Sequence, residues 1–109
     1  MTRSTDLKIA IVGAADNSRM DAPFADASWE IWGLSDQFVW MPRWTRWFEL
    51  HDAEKWRDRK GHILTWMRSQ EAGRPIYLQD EDDEVPGSVT FPRGRCEVMF
   101  GRYFTSSVA

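Results

Sequence analysis

Apolar residues follow two different rhythms along this chain, and the switch between them sets the expected fold. Ile9, Ala10, Ile11 and Val12 form a continuous run rich in β-branched residues, the pattern of a parallel strand covered on both faces. Gly13 ends that run with a tight turn. A second strand is expected over SWEIWGL, residues 28–34, where Trp29, Ile31 and Gly33 alternate with Glu30 and Trp32. TRWFEL, residues 45–50, and PIYLQ, residues 75–79, give the third and fourth. The helical rhythm is clearest between residues 53 and 72. There Trp56, Ile63, Leu64, Trp66 and Met67 make an apolar stripe opposite Glu54, Arg57, Asp58, Arg59, Lys60, Arg68 and Gln70. Gly61 costs such a helix about 1 kcal/mol relative to Ala and marks a break point, while Gly73 is the expected C-cap. Shorter helical pieces are expected around Asp21 and Pro23 and in QFVWM, which follows Ser35 and Asp36 and is stopped by Pro42. The acidic run of residues 80–84 reads as a solvated loop and residues 85–92 as an extended one. Val98, Met99, Phe100, Tyr103 and Phe104 then return to helical spacing.

The resulting order predicts an α/β fold, a Rossmann-like three-layer sandwich around a mostly parallel sheet of about four strands. One domain, residues 1–109, accounts for the whole chain. The sheet is incomplete by this reading, because a right-handed crossover brings a last helix back to another parallel strand and the sequence stops at the helix. An apolar terminal helix beside an unpaired edge predicts association with a second copy or with a partner chain.

Composition narrows the chemistry. A formal net charge of -3 argues against broad non-specific binding of nucleic acid, leaving only a local basic patch at Arg43 and Arg46. The single cysteine, Cys96, excludes an intramolecular disulfide, and no Cys/His spacing suits a metal. No run reaches membrane length and MTRSTD is not a signal sequence, so a cytoplasmic location is expected. Seven tryptophans lie between Trp29 and Trp66, which predicts a bulky aromatic core or a stacking surface there.

With parallel strands, polar groups converge at the carboxyl edge of the sheet, where ligands of open α/β sheets bind. Gly13 is followed by Asn17, Ser18 and Arg19, which offer an amide, a hydroxyl and a guanidinium; Asp36 follows the second strand; His51 and Asp52 follow the third. The first loop suits a phosphate or nucleotide, although it lacks the second and third glycines of a dinucleotide fingerprint and the Lys-Ser/Thr pair of a P-loop; the alternative is an ordinary strand-to-helix turn. Asp36 stands where a carboxylate can accept ribose hydroxyls. His51 is the candidate catalytic residue, as a general base or a phosphate ligand, against a purely orienting role; Asp52 is either a ligand group or a helix cap. No resident cofactor or metal is expected. The Trp-Arg block of residues 40–52 suits base stacking, although such a mixture is more often packing, with arginine stems lying over indoles.

KIAIVGAADNSRMDAPFADASWEIWGLSD, PRWTRWFELHD, RPIYLQD and GRYFTSSVA together resemble a group of largely uncharacterised Rossmann-like proteins of tailed bacteriophages and prophages. In that group the YFTSS stretch begins a helix that runs on into further α/β structure, so the resemblance implies a truncated member. The layout is more remotely similar to nucleotide-sugar-dependent transferases such as bacterial sialyltransferases, with Ser35 where those have an asparagine. The implied function is binding of a nucleotide or nucleotide derivative. Whether turnover follows stays open, against a phage accessory protein that sequesters a signal nucleotide or binds a host protein, and an oligomeric assembly module.

Overall fold

A computed structural model describes residues 7–13 and 18–93, without the side chain of Arg19. Asn17 and the expected helix from Cys96 onward lie outside the described residues. Five strands, β1 (Lys8–Val12), β2 (Trp29–Leu34), β3 (Arg46–Phe48), β4 (Ile76–Leu78) and β5 (Ser88–Thr90), pair in that order, every neighbouring pair parallel. The chain therefore has the expected α/β fold with a parallel, Rossmann-like sheet, with β5 added to the four strands read from the sequence. That strand hides between Pro86 and Pro92, where three residues are too few to show a pattern. Its place is fixed by the backbone, Ile76 N–H donating to Gly87 O at 2.9 Å and Phe91 N–H to Leu78 O at 2.8 Å.

Register partners in a parallel sheet point the same way. Val12, Gly33, Trp47 and Ile76 thus share one face, and Leu34, Phe48, Tyr77 and Val89 share the other. The core lies on the first face. Val12, Ile31, Trp47, Ile76 and Leu78 from the sheet are buried there with Met41, Trp44, Trp56, Ile63, Met67 and Val85 from the connections.

Those connections explain the tryptophans. Phe38 stacks on Trp66 at 4.3 Å and 5°, and Trp66 lies against Trp47 at 4.8 Å and Trp44 at 5.6 Å. The Trp-Arg block is packing here. Arg43 donates to the carbonyls of Phe24, Asp26 and Trp29, Arg46 binds Glu30 and Tyr77, and the Arg74 guanidinium lies 4.0 Å from the Trp44 ring centroid. The basic patch is consumed by these bonds.

The long helix breaks where Gly61 was expected to weaken it. Lys55–Arg59 forms a π-helical turn closed by Lys60 N–H on Lys55 O at 2.7 Å, and the α-helix proper, α1, runs Gly61–Ser69. Gly73 does not cap it. The last turn is closed by Ser69 Oγ and Gln70 Nε2, both donating to Trp66 O, after which Gln70 turns extended; Gly73, at φ 124°, redirects the chain toward β4. The acidic run is exposed as expected except at the half-buried Asp82, and it is also tied to the rest of the fold. Arg57 donates to Asp82 and to Glu84, and Ser88 Oγ receives Asp82 N–H and donates to Asp82 O. No helix among the described residues is long and apolar enough to cross a membrane.

Candidate functional site

β3 is the middle strand of the sheet, and its carboxyl end delivers a fully buried charged side chain, the one buried polar group among the described residues. Strand alternation continues past Phe48, so Glu49 points the same way as Trp47, into the core, and is fully buried. Its backbone N–H still pairs with Tyr77 O at 2.9 Å, which keeps the residue in the sheet. One carboxylate oxygen, Oε1, receives His51 Nδ1 at 2.6 Å and His51 N–H at 3.2 Å. The other, Oε2, has no hydrogen-bond partner among the described residues. A buried carboxylate oxygen left in this way is costly unless something outside the described groups, a water, a ligand or another segment, completes it.

The pairing has a chemical consequence. With Glu49 ionised its oxygens can only accept, and that arrangement puts the imidazole proton on Nδ1 and leaves Nε2 as the basic nitrogen. Nε2 makes no hydrogen bond among the described residues. His51 lines a small cleft with Asp52, Glu54, Lys55 and Arg59, about 150 Å³ in volume. That space suits one group of a ligand rather than a whole one.

The remaining expected site residues divide around this centre. Gly13 and Ser18 share a second cleft beside β1, about 310 Å³, with Ile11, Val12 and Asp21 among its walls. It reaches the lower end of small-molecule pocket sizes. Asp36 lines neither cleft. It follows β2 as expected, but its carboxylate is taken by Gln37 Nε2 at 3.0 Å and Lys60 Nζ at 3.5 Å. Burial works to raise its pKa, yet the Lys60 ammonium and these bonds outweigh it and hold the group below its ordinary value. Asp52 is exposed and does not cap a helix with its side chain; Oδ1 receives Gln79 Nε2 at 3.2 Å, and Gln79 also donates to Leu50 O at 2.9 Å. Arg19 begins a short 3₁₀ turn, Arg19–Asp21.

The turn after β2 is built from a rarer backbone state. Ser35 sits at φ 50°, the left-handed region, and so aims its carbonyl at Trp47 Nε1 at 2.9 Å while its own N–H reaches Phe48 O. This holds the ends of β2 and β3 together beside the Glu49–His51 pair.

Glu49 was missed in the sequence, and a signal for it was there. In TRWFELHD the alternation that buries Trp47 also buries Glu49, two residues before a histidine. Among the described residues no group of three or more His, Cys, Asp or Glu side chains is placed to hold a metal ion. Comparison with protein-family models, with curated proteins and with solved structures found no match to this chain.

Proposed function

We propose that the protein binds a nucleotide or nucleotide derivative at the carboxyl edge of the sheet, with the Glu49–His51 pair as its reactive or recognising centre. The observation that carries this reading is the buried carboxylate that orients a half-buried imidazole at the end of the central strand. Lys55 and Arg59 line the same cleft and supply positive charge for a phosphate, Arg59 already sharing Glu54 at 3.1 Å. The Gly13–Ser18 cleft offers room for a further part of the ligand. In such a site Nε2 accepts a proton from a hydroxyl or water while Glu49 stabilises the imidazolium that forms, the division of labour of a general base and its orienting carboxylate.

Thermal shift and calorimetric titration against nucleoside mono-, di- and triphosphates, nucleotide sugars and cyclic dinucleotides test the reading. At least one class is expected to raise the melting temperature, and His51→Ala is expected to weaken that ligand tenfold or more. No response to any class at millimolar concentration overturns it. Phosphorus NMR of the bound ligand over hours separates a transferase or hydrolase from a protein that only sequesters, the accessory role implied by the phage resemblance.

A further inference from the structure

β1 is the outermost strand on its side of the sheet, and its outer edge is open among the described residues. The direction of its backbone groups follows from β2. Ile31 O receives Thr45 N–H at 2.7 Å, so Ile31 and Gly33 turn their peptide groups to β3, and Glu30 and Trp32 turn theirs to β1. Lys8, Ala10 and Val12 answer them from β1, which leaves the N–H and C=O of Ile9 and Ile11 pointing away from the sheet. The opposite edge is guarded and this one is not. β5 is three residues long and lies between Pro86 and Pro92, whereas β1 has five residues, no proline and one charge, at Lys8. Apolar side chains gather beside it. Leu7 and Ile11 are each 65% exposed, and Met20, 60% exposed, stands on the 3₁₀ turn Arg19–Asp21 that walls the cleft beside β1.

We propose that β1 is the interface with a second copy of this chain, the two β1 strands pairing antiparallel about a two-fold axis at Ala10. Register is the first argument. A pairing centred on Ala10 sets Ile9 of each copy opposite Ile11 of the other, so the outward-facing residues of both copies meet as hydrogen-bonded pairs, each exchanging both its backbone bonds. Their side chains then form one apolar patch on the sheet face that carries Trp32.

Charge is the second argument. The same register sets Lys8 of one copy level with Val12 of the other, at the end of β1 where Asp21 lines the cleft with Ala10 and Val12. Lys8 and Asp21 are both exposed, and neither forms an ion pair in its own chain among the described residues, Lys8 acting on Asp26 only through space. The two-fold axis brings each to the other at either end of the interface. A strand of another protein would meet the same edge without this built-in match. One pair of strands is a small interface, so the dimer is reversible and of micromolar strength.

Sedimentation velocity of the full chain from low to high micromolar concentration is expected to pass from monomer to dimer. Ile11→Lys, a change at an exposed position, is expected to raise the dissociation constant at least tenfold. A cysteine pair reads the register. In a Cys96→Ser background, Ala10→Cys sets the two thiols face to face across a non-hydrogen-bonded pair, where Cα atoms lie about 4.5 Å apart, within the span of a disulfide. Under oxidised glutathione it is expected to link two chains at least tenfold faster than Thr90→Cys, exposed on the other edge strand, in the same background. A strictly monomeric mass overturns the proposal and leaves the edge to a strand of another protein. A dimer indifferent to Ile11→Lys, or linking no faster than the control, overturns it by placing the contact elsewhere. The charge pair covers the case in which Ala10→Cys does not fold. Lys8→Glu alone is expected to weaken the dimer about fivefold and Lys8→Glu with Asp21→Lys to restore it; no restoration overturns the register. None of these readouts depends on a bound nucleotide.

Discussion

The indole of Trp47 lies on the bare Cα of Gly33, so close that a Cβ at Gly33 would fall 2.0 Å from Trp47 Cζ3 and 2.4 Å from Cε3. The two residues are register partners on β2 and β3, and both are buried. Absence of a side chain on one strand makes the space for the largest side chain on the next. The same indole bonds Ser35 O through Nε1, so it cannot swing aside without breaking that bond. Gly33→Ala is expected to destabilise the fold by about 3 kcal/mol, at the upper end for overpacking a core. A urea midpoint shifted with unchanged slope is the signature; an unaltered midpoint would mean that Trp47 is not held where it is described.

Glu49 and His51 give a prediction that needs no ligand. Nitrogen-15 NMR of the imidazole is expected to show the proton resident on Nδ1 near neutral pH in the neutral ring, the minority tautomer of free histidine. Glu49→Gln removes the charge and offers an amide that can donate as well as accept, so the ring's preference should weaken. A ring that favours Nε2–H in the unaltered protein would remove the pair from the site.

Much of this arrangement was readable before the structure, and the reasons for the gaps are local. β1, β2, β3 and β4 announce themselves through apolar runs or alternation, and the break at Gly61 follows from helix propensity. β5 escaped because its pairing is made by backbone groups between two prolines, with Val89 and Thr90 exposed and so free of any pattern. The positions of Gly13, Ser18, Asp36, His51 and Asp52 at the carboxyl ends of strands follow directly from the parallel topology. Their grouping does not. Lys60, far along the chain, takes Asp36, and Gln79 takes Asp52, and nothing local to either aspartate foretells such partners.

The docked acidic loop carries a pH signature. Asp82 accepts the backbone N–H of Glu84 and the Arg57 guanidinium; the Glu84 bond contributes most, and despite partial burial the carboxyl is held below its ordinary value of 3.8. A carboxylate whose pKa is depressed on folding adds stability that is fully present above the ordinary value and is lost as pH falls through the depressed one. Asp82→Asn should therefore lower the melting temperature at pH 7, and the gap from the unaltered protein should close below about pH 4. A gap that is constant from pH 7 to pH 3 would show that the charge of Asp82 is not what holds the loop.

Arg43 tests whether the Trp-Arg block is structural. Its Nε donates to Phe24 O at 2.7 Å, and one terminal nitrogen, Nη2, is shared between Asp26 O at 2.9 Å and Trp29 O at 3.1 Å. Three carbonyls from the β1–β2 connection and the start of β2 are thereby gathered onto one planar group. A lysine ammonium is a point donor on a flexible stem and cannot reach Phe24 O and Trp29 O in the same geometry, so Arg43→Lys keeps the charge and loses the fork. The expected cost is about 2 kcal/mol, roughly one charge-assisted bond to a carbonyl. For a domain of this size that lowers the melting temperature by about 10 °C. If the block instead served nucleic acid, Arg43→Lys would leave the melting temperature unchanged and act on binding alone, so a melting curve of the ligand-free protein decides between the two roles.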